Sequence, residues 1–448
     1  MIDINSTLEP IVIDNGSITM KVGLGGEDSP CSTFPTVVGK EQTKEINQKE
    51  IKLKETFVGK LALKRSGILS TQSPIKNGII ENWEAMEEIW NYICFDLFGE
   101  PINEVKVLLT ESIFNPKENR EKTAEIWFET FNTQIFYLVP SNILQVYSFG
   151  NSSGTSINSG ANTSMCFINE GRIIKGSCDQ LDIGGDDLTQ FLQELLVLKG
   201  LEFKTYKDLK TLEYLKKCLS FYVVDDPNKL LQEKEKANKI VRSYELKDGQ
   251  RISLGMERFV CTELFFQPKE EIIDLFGLKL SENEKENEKE LENEKEQEKE
   301  KEKEKEKENE NEKEKEKEKE NEKEKEEETV FKRKTKKEML NLPRMIYKNA
   351  QNIDFELRKT LLSNIILSGG NTNFGGIEKR LSNELKLLIN ENCPQFRFPS
   401  STFPSKYMAW VGGSIFASLG HYVNSWMYKE LYEESGVQCV HTLLNHFI

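Results

Sequence analysis

The chain has 448 residues, 37% hydrophobic, 9% aromatic and 30% charged, enough apolar material for two or three packed cores. Its formal net charge of −14 is concentrated: residues 281 to 328 carry 25 Glu and 14 Lys, a net of −11, which leaves −3 on the other 400 residues. A body so close to neutrality has no basic footprint for nucleic acid, no run approaches the roughly 20 apolar residues of a membrane span, and eight scattered cysteines without a CxxC pair argue for reduced thiols and against a structural zinc.

The first residues, MIDINSTLEP, lack the basic head and apolar stretch of a signal peptide, so a cytosolic or nuclear setting is expected. From Glu9 to Gly26 a β-rich stretch, a turn signal at Asn15-Gly16 and a second β-rich stretch predict a hairpin. A helix is expected after Asn82, a good N-cap, with Glu84 in its first turn. Trp83, Met86, Ile89, Trp90, Ile93 and Leu97 form its apolar face, and Gly99 stops it. A second helix should start at Asn115-Pro116, as cap and first position, and run through KENREKTAEIWFETF. The aromatics of both helices read as core. Residues 155 to 176 repeat the hairpin arrangement around Asn158-Ser159-Gly160, which suggests an internally duplicated mixed α/β fold.

The Glu/Lys run alternates sign, so i,i+4 neighbours repel and only i,i+3 neighbours attract, and Leu291 is its single apolar residue. It reads as a disordered surface insertion or a fraying helix, because it can bury nothing to offset its ordering entropy. The three histidines, His421, His441 and His446, stand near the C-terminus. Chemistry elsewhere must therefore use carboxylates, lysines, hydroxyls and backbone amides.

A turn of small residues lets backbone N–H groups approach a phosphate without an intervening side chain. Residues 14 to 17 (DNGS) and 158 to 161 (NSGA) each supply such a turn. Three more Gly-rich turns are expected, at Asp182–Asp187, at Ser368–Asn371 and at Val411–Ser414. Taken together they point to a cleft that holds a nucleotide between two halves.

The segments EPIVIDNGS, FPTVVG, KRSGILSTQSPIKNGIIENWEAMEEIW, VLLTESIFNPKENREKTAEIWFETFNT, LDIGGDDLT, SYELKDGQRISLGMERFVCTELFFQP, ILSGGNTNFGGIEKRL and WVGGSIFASL resemble actin-family segments, in actin order and over nearly the whole chain. The resemblance implies duplicated actin-like (ribonuclease H-like) α/β halves around a nucleotide cleft, in four subdomains. Expected boundaries are 1–35, 72–148 and 409–448 for an outer half, 36–71 for a small outer subdomain, 149–184 and 274–408 for an inner half, and 185–273 for a fourth subdomain. The Glu/Lys insertion, 281–328, falls within the inner half. The implied ligand is ATP or ADP with Mg2+ or Ca2+. By position, Asp14 would hold the cation through water, and Ser17 and Lys21 would contact the β- and γ-phosphates. Asn15, Gly16, Ser159, Gly160 and Gly185 would supply the clamps, with Lys216, Gly369, Gly370, Asn373, Phe374 and Lys406 around the adenosine and its phosphates.

Several positions depart from the family pattern. The second clamp carries Asn158 and Ala161 where the family has two aspartates. Ser141 stands at the glutamine that positions the attacking water, Met165 at the neighbouring histidine, and Gln145 lies one helical turn too far along. Ile18 replaces a glycine of the first clamp, and Lys217 an acidic ribose contact. Phosphoryl transfer to water depends on positioned water and cation electrostatics, so turnover should be weak or absent. The loop at about 41 to 56, apolar at its tip in actin, is charged here, and the acidic insertion lies near the family's inter-strand plug. Standard filament assembly is therefore disfavoured. The expectation is a divergent cytoskeletal or complex-scaffolding subunit, with actin-like subunits or actin-binding proteins as partners, in the cytoplasm and cytoskeleton or the nucleus. A conventional polymerising actin-type ATPase and a nuclear actin-related subunit of a chromatin complex stay open as alternatives.

Overall fold

A computed structural model describes residues 9–41, 56–99, 106–201, 203, 206–219, 221–227, 241–246, 249, 251–277, 340–389, 394–419 and 426–444. The Glu/Lys segment and residues 42–55 of the charged loop lie outside the described residues.

Two sheets carry the architecture. Their strands in chain order are β1 (Ile11–Asp14), β2 (Thr19–Leu24), β3 (Ser32–Pro35), β4 (Lys106–Glu111), β5 (Ile135–Pro140), β6 (Gly154–Ser159), β7 (Thr163–Asn169), β8 (Arg172–Ile173), β9 (Asp179–Leu181), β10 (Ile365–Ser368) and β11 (Met427–Tyr428). The first sheet runs β11-β5-β4-β1-β2-β3 and the second β8-β7-β6-β10, with β9 also paired to β7. In each, an antiparallel hairpin (β1-β2, β6-β7) continues antiparallel on one side and is met on the other by a parallel strand, β4 or β10. The duplication expected from the two hairpins is therefore present in topology as well as in sequence. Smaller sheets lie outside this frame, among them a three-stranded one built from Val38–Glu41, Thr56–Val58 and Leu69–Gln72.

β1 and β7 are buried on both faces, which is why IVID and MCFI read as apolar runs without alternation. The helix Trp83–Asn91 starts as expected: Asn82 Oδ1 accepts the Ala85 N–H at 3.0 Å. It continues through a π-helical turn, Tyr92–Leu97. Met86, Ile89, Trp90 and Ile93 are buried, and Trp90 packs on Trp127 with ring centroids 5.5 Å apart.

Three sequence expectations need correction. Asn115 does not cap the next helix, Lys117–Glu125; its amide turns back to Glu111 Oε2 at 2.8 Å, and Pro116 occupies the cap position. The second hairpin turns at Gly160–Asn162, two residues later than expected, because Asn158 and Ser159 are still in the ladder opposite Ser164 and Thr163. Gly412 and Gly413 form no turn. They lie inside the helix Met408–Ser418, where a Cβ on Gly412 would meet the Leu144 carbonyl oxygen at 1.6 Å. Close helix–helix packing accounts for that glycine, and neither residue reaches the cleft.

Candidate nucleotide cleft

A cavity of about 410 Å3 is lined by the β1–β2 turn on one side and the β6–β7 turn on the other. Asp14, at the end of β1, is the best-anchored group in it. Lys21 Nζ pairs with Asp14 Oδ2 at 2.7 Å, and the Thr110 hydroxyl donates to Asp14 Oδ1 at 2.8 Å while accepting the Asn15 N–H at 3.0 Å. Thr110 is supplied by β4, which runs parallel beside β1 and brings its C-terminal end to the same edge. That is where ligands settle in sheets with parallel strands. Ser17 Oγ accepts the Gly78 N–H at 3.0 Å, which ties the turn to the hairpin Ile75–Ile80.

The other wall is a set of close backbone contacts, two of which, at Gly184 and Gly369, only glycine permits. The Gly185 N–H donates to the Gly160 carbonyl at 2.8 Å, and a Cβ on Gly184 would stand 1.8 Å from the Ala161 oxygen. Gly369, at φ +93°, brings its Cα against the Ser159 carbonyl, where a Cβ would come within 2.2 Å. Asn371 closes the arrangement, donating to Gly160 O at 2.9 Å and to Ser159 Oγ at 3.2 Å. Asn373 holds the same loop through its Oδ1, which accepts the Ser405 hydroxyl at 3.0 Å.

A third group lies on the helix Tyr206–Cys218 and its neighbours. Lys216 Nζ donates to the Gly185 carbonyl, and burial holds its ammonium below the ordinary lysine range. Glu213 receives Lys217 at 2.8 Å and Lys210 at 3.0 Å. Burial pushes its carboxyl up, but the hydrogen bond from Lys217 and the charges of both lysines outweigh that and leave its pKa below the usual carboxylate range. Phe221 and Phe374, with ring centroids 6.2 Å apart, form an apolar patch beside these charges. Lys406 lines the cavity from the far side, its Nζ 4.7 Å from the Tyr407 ring centroid.

Asp14, Asn15, Gly16, Ser17, Lys21, Gly160, Gly185, Lys216, Gly369, Gly370, Asn373, Phe374 and Lys406 thus line one cavity. Ser159 does not; its hydroxyl is buried against Thr163 Oγ1 at 2.8 Å and stiffens the turn from behind. Of the departures from the family pattern, Ile18, Ser141, Asn158, Ala161 and Lys217 line the cavity, whereas Met165 is buried in the core. Gln145 also reaches the wall, but its Oε1 is taken by the Ser156 hydroxyl at 2.8 Å.

Sequence reasoning missed Thr110, Asn142 and Glu213, and it gave Gly184 and Asn371 only as members of expected turns, without a role of their own. Gly184 carried a signal as the neighbour of a chosen glycine, and Thr110 as the end of the apolar run VLLT, which the sequence reading did not assign to a strand. The other three depend on contacts between distant segments or on which helix face meets the cleft.

Two features bear on whether a nucleotide and its cation fit. Gly160 and Gly370 have no neighbouring atom within 4 Å of a built Cβ and no left-handed φ, so neither packing nor backbone conformation requires glycine there. Both expose bare backbone to the cavity, which suits close approach by a phosphate. Asn142 is 1% exposed and lines the cavity, and its Oδ1 has no hydrogen-bond partner while its Nδ2 donates to Ser156 Oγ at 3.3 Å. A buried acceptor without a partner is costly, and a ligand or its water would satisfy it. Among the described residues no three metal-ligating side chains come together, so a cation here would be held by Asp14, water and the nucleotide's own oxygens.

Comparison with known proteins agrees with this geometry. The family model for actin matches residues 5–444. A Dictyostelium discoideum protein that bears the name actin-29 is 30% identical over 441 residues, covering 96% of this chain and 95% of that protein. With a duplicated fold, a cleft between its hairpins and a match along nearly its whole length, the chain belongs to the actin family.

Proposed function

We propose that this protein is a divergent actin-family scaffold that binds ATP or ADP with a divalent cation in the cleft and turns it over weakly or not at all. The observation that carries the binding half is the pair of glycines, Gly160 and Gly370, kept where neither packing nor backbone conformation asks for glycine. In this reading the two turns hold the phosphates by their backbone. Asp14 orders the cation's water, Lys21 swings from Asp14 to phosphate, and Phe221 and Phe374 cover the base. Bound Mg2+ would neutralise charge developing on the phosphates.

The weak turnover follows from what lines the cavity. Asn158 has no negative charge, Ala161 has no functional group, Ser141 is short, and Gln145 is tied to Ser156. Positioning an attacking water needs a hydrogen-bonding group within about 2.6–3.2 Å of it. Phosphate release from purified protein with Mg-ATP should therefore be near background. The variant combining Ile18→Gly, Ser141→Gln, Asn158→Asp and Ala161→Asp should raise it at least about tenfold, one or more steps of about 1.4 kcal/mol in barrier. An actin-like rate in the unaltered protein would refute the reading.

One observation favours a hydrolytic alternative: the free Oδ1 of Asn142 beside Ser141 is an acceptor available to water. If it positions an attacking water, Asn142→Leu abolishes a measurable basal rate. The proposed setting is the cytoplasm and cytoskeleton, with actin-like subunits or actin-binding proteins as partners, or a multiprotein complex, including a nuclear one. Among the described residues no helix is long and apolar enough to cross a membrane.

A further inference from the structure

We propose that Cys166 and Cys178 form a redox pair, a dithiol that a peroxide converts to a cross-strand disulfide beside the nucleotide cleft. The case rests on register. β7 pairs antiparallel with β9 as Thr163↔Leu181, Ser164↔Gln180 and Met165↔Asp179. The ladder stops there, and the next residue of β7, Cys166, and the residue just before β9, Cys178, are joined by a thiol–thiol hydrogen bond. Next to Cys178, the Ser177 hydroxyl accepts the Phe167 N–H at 3.3 Å and donates its proton to the Ile174 carbonyl at 2.6 Å. The two cysteines are therefore held between a ladder pair on one side and a hydrogen-bonded clamp on the other. Two sulfurs already in hydrogen-bond contact at the end of a ladder need little backbone movement to reach disulfide geometry. The packing agrees: Cys166 belongs to the cluster around Val12, Tyr137 and Trp410, and Cys178 lies against that same cluster.

The two thiols differ in the way a redox pair requires. Cys166 is fully buried, and burial, followed by the neighbouring Cys178, pushes its thiol up. Cys178 is half-buried, and the hydrogen bond from Cys166 draws it below the ordinary thiol range despite its burial. Cys178 is thus the reachable thiolate and Cys166 the protected partner. Cys178 sulfur attacks a peroxide oxygen, the O–O bond breaks, and with hydrogen peroxide the departing hydroxide takes a proton and leaves as water. The Cys166 sulfur then attacks the resulting sulfenic acid. The S–S bond forms, the S–O bond breaks, and a second water carries off the remaining proton, so that two thiols and one peroxide give one disulfide and two waters. Of the other described thiols, Cys94 and Cys439 belong to one core cluster and Cys261 to another, and Cys31 and Cys218 are exposed.

The placement gives the bond a consequence. β9 runs directly into the loop Asp182–Gly184, which carries Gly185 and Asp186 to the cavity wall. A disulfide at its base would fix that wall to the second clamp.

The test is peptide mapping of the native full chain after brief exposure to hydrogen peroxide. Arg172 and Lys175 stand between the two cysteines, so trypsin separates them unless a disulfide joins them. The expected product is a linked pair of peptides containing Cys166 and Cys178, 2 Da lighter than their sum, absent after reduction and formed before Cys31 or Cys218 is modified. Cys166→Ser should leave Cys178 trapped as a dimedone-labelled sulfenic acid. Should that variant fail to fold, the mapping of the unaltered protein decides alone. Oxidation of Cys31 and Cys218 with Cys166 and Cys178 still alkylatable, or mixed disulfides without the 166–178 link, would overturn the proposal.

Discussion

Lys21 and Asp14 form a buried ion pair at the floor of the cleft, Nζ to Oδ2 2.7 Å, with their side chains 11% and 7% exposed. The pair joins neighbouring strands of the first hairpin, where Asp14 lies opposite Lys21 in the ladder. Removing one partner leaves the other's charge unpaired and largely buried. Lys21→Met should therefore cost about 3 kcal/mol in urea unfolding, and Lys21→Met with Asp14→Asn should cost less than the sum of the two single changes. Strict additivity of the singles would show that the two residues do not act as a pair.

Gly369 and Gly370 are neighbours with opposite expectations. Gly369→Ala puts a Cβ 2.2 Å from the Ser159 oxygen at φ +93° and should lower stability by about 2 kcal/mol. Gly370→Ala meets nothing within 4 Å and should change stability by less than about 0.5 kcal/mol while weakening nucleotide binding, since its new methyl enters the cavity. Thermal unfolding of the two variants, with a nucleotide titration of the second, checks both parts. Equal stability losses would contradict the assignment of Gly370 to the ligand.

Glu263 is buried beside Arg380, whose Nη1 donates to Glu263 Oε1 at 3.3 Å and to the Val224 carbonyl at 2.8 Å, while its Nε donates to Glu384 at 2.8 Å. Burial pushes the Glu263 carboxyl up to about 7, against the opposing pull of Arg380. A carboxyl whose folded pKa is raised binds its proton more tightly in the folded state. Its contribution is full below the unfolded value near 4.5 and is lost as pH rises to about 7. Glu263→Gln should flatten the fall in unfolding free energy between those two pH values. An unchanged slope would mean that other groups set it.

How much of this was legible beforehand differs from residue to residue. The Asn82 cap and the β1–β2 turn depend on neighbours within a few positions, and both are where the sequence put them. Asn115 and Asn158 show the limit of local signals. Asn115 has a cap's spacing but a carboxylate, Glu111, within reach, and Asn158 sits in a turn-like string that the sheet extends through. Gly412 reads the same whether it faces a phosphate or the Leu144 carbonyl of another helix, because a missing Cβ does not say what approaches it. Glu213, four residues before the substituted Lys217, could not be placed until the helix rotation brought both to the cavity, paired.

Deleting residues 281–328 should leave the midpoint of thermal unfolding within about 3 °C of the full chain. The segment offers one apolar residue, Leu291, for burial, and closing a shorter loop changes the entropy little. A large fall in the midpoint or loss of solubility would show that the segment packs on the body.

Binding without turnover is tested most directly by equilibrium dialysis of the full chain against millimolar Mg-ATP, followed by separation of the nucleotides on the protein side. Binding is expected to saturate near one nucleotide per chain, to weaken in Gly370→Ala, and to be recovered as ATP, with ADP no higher than in a protein-free control. No retained nucleotide would contradict the cleft assignment, and nucleotide recovered as ADP would contradict the loss of hydrolysis.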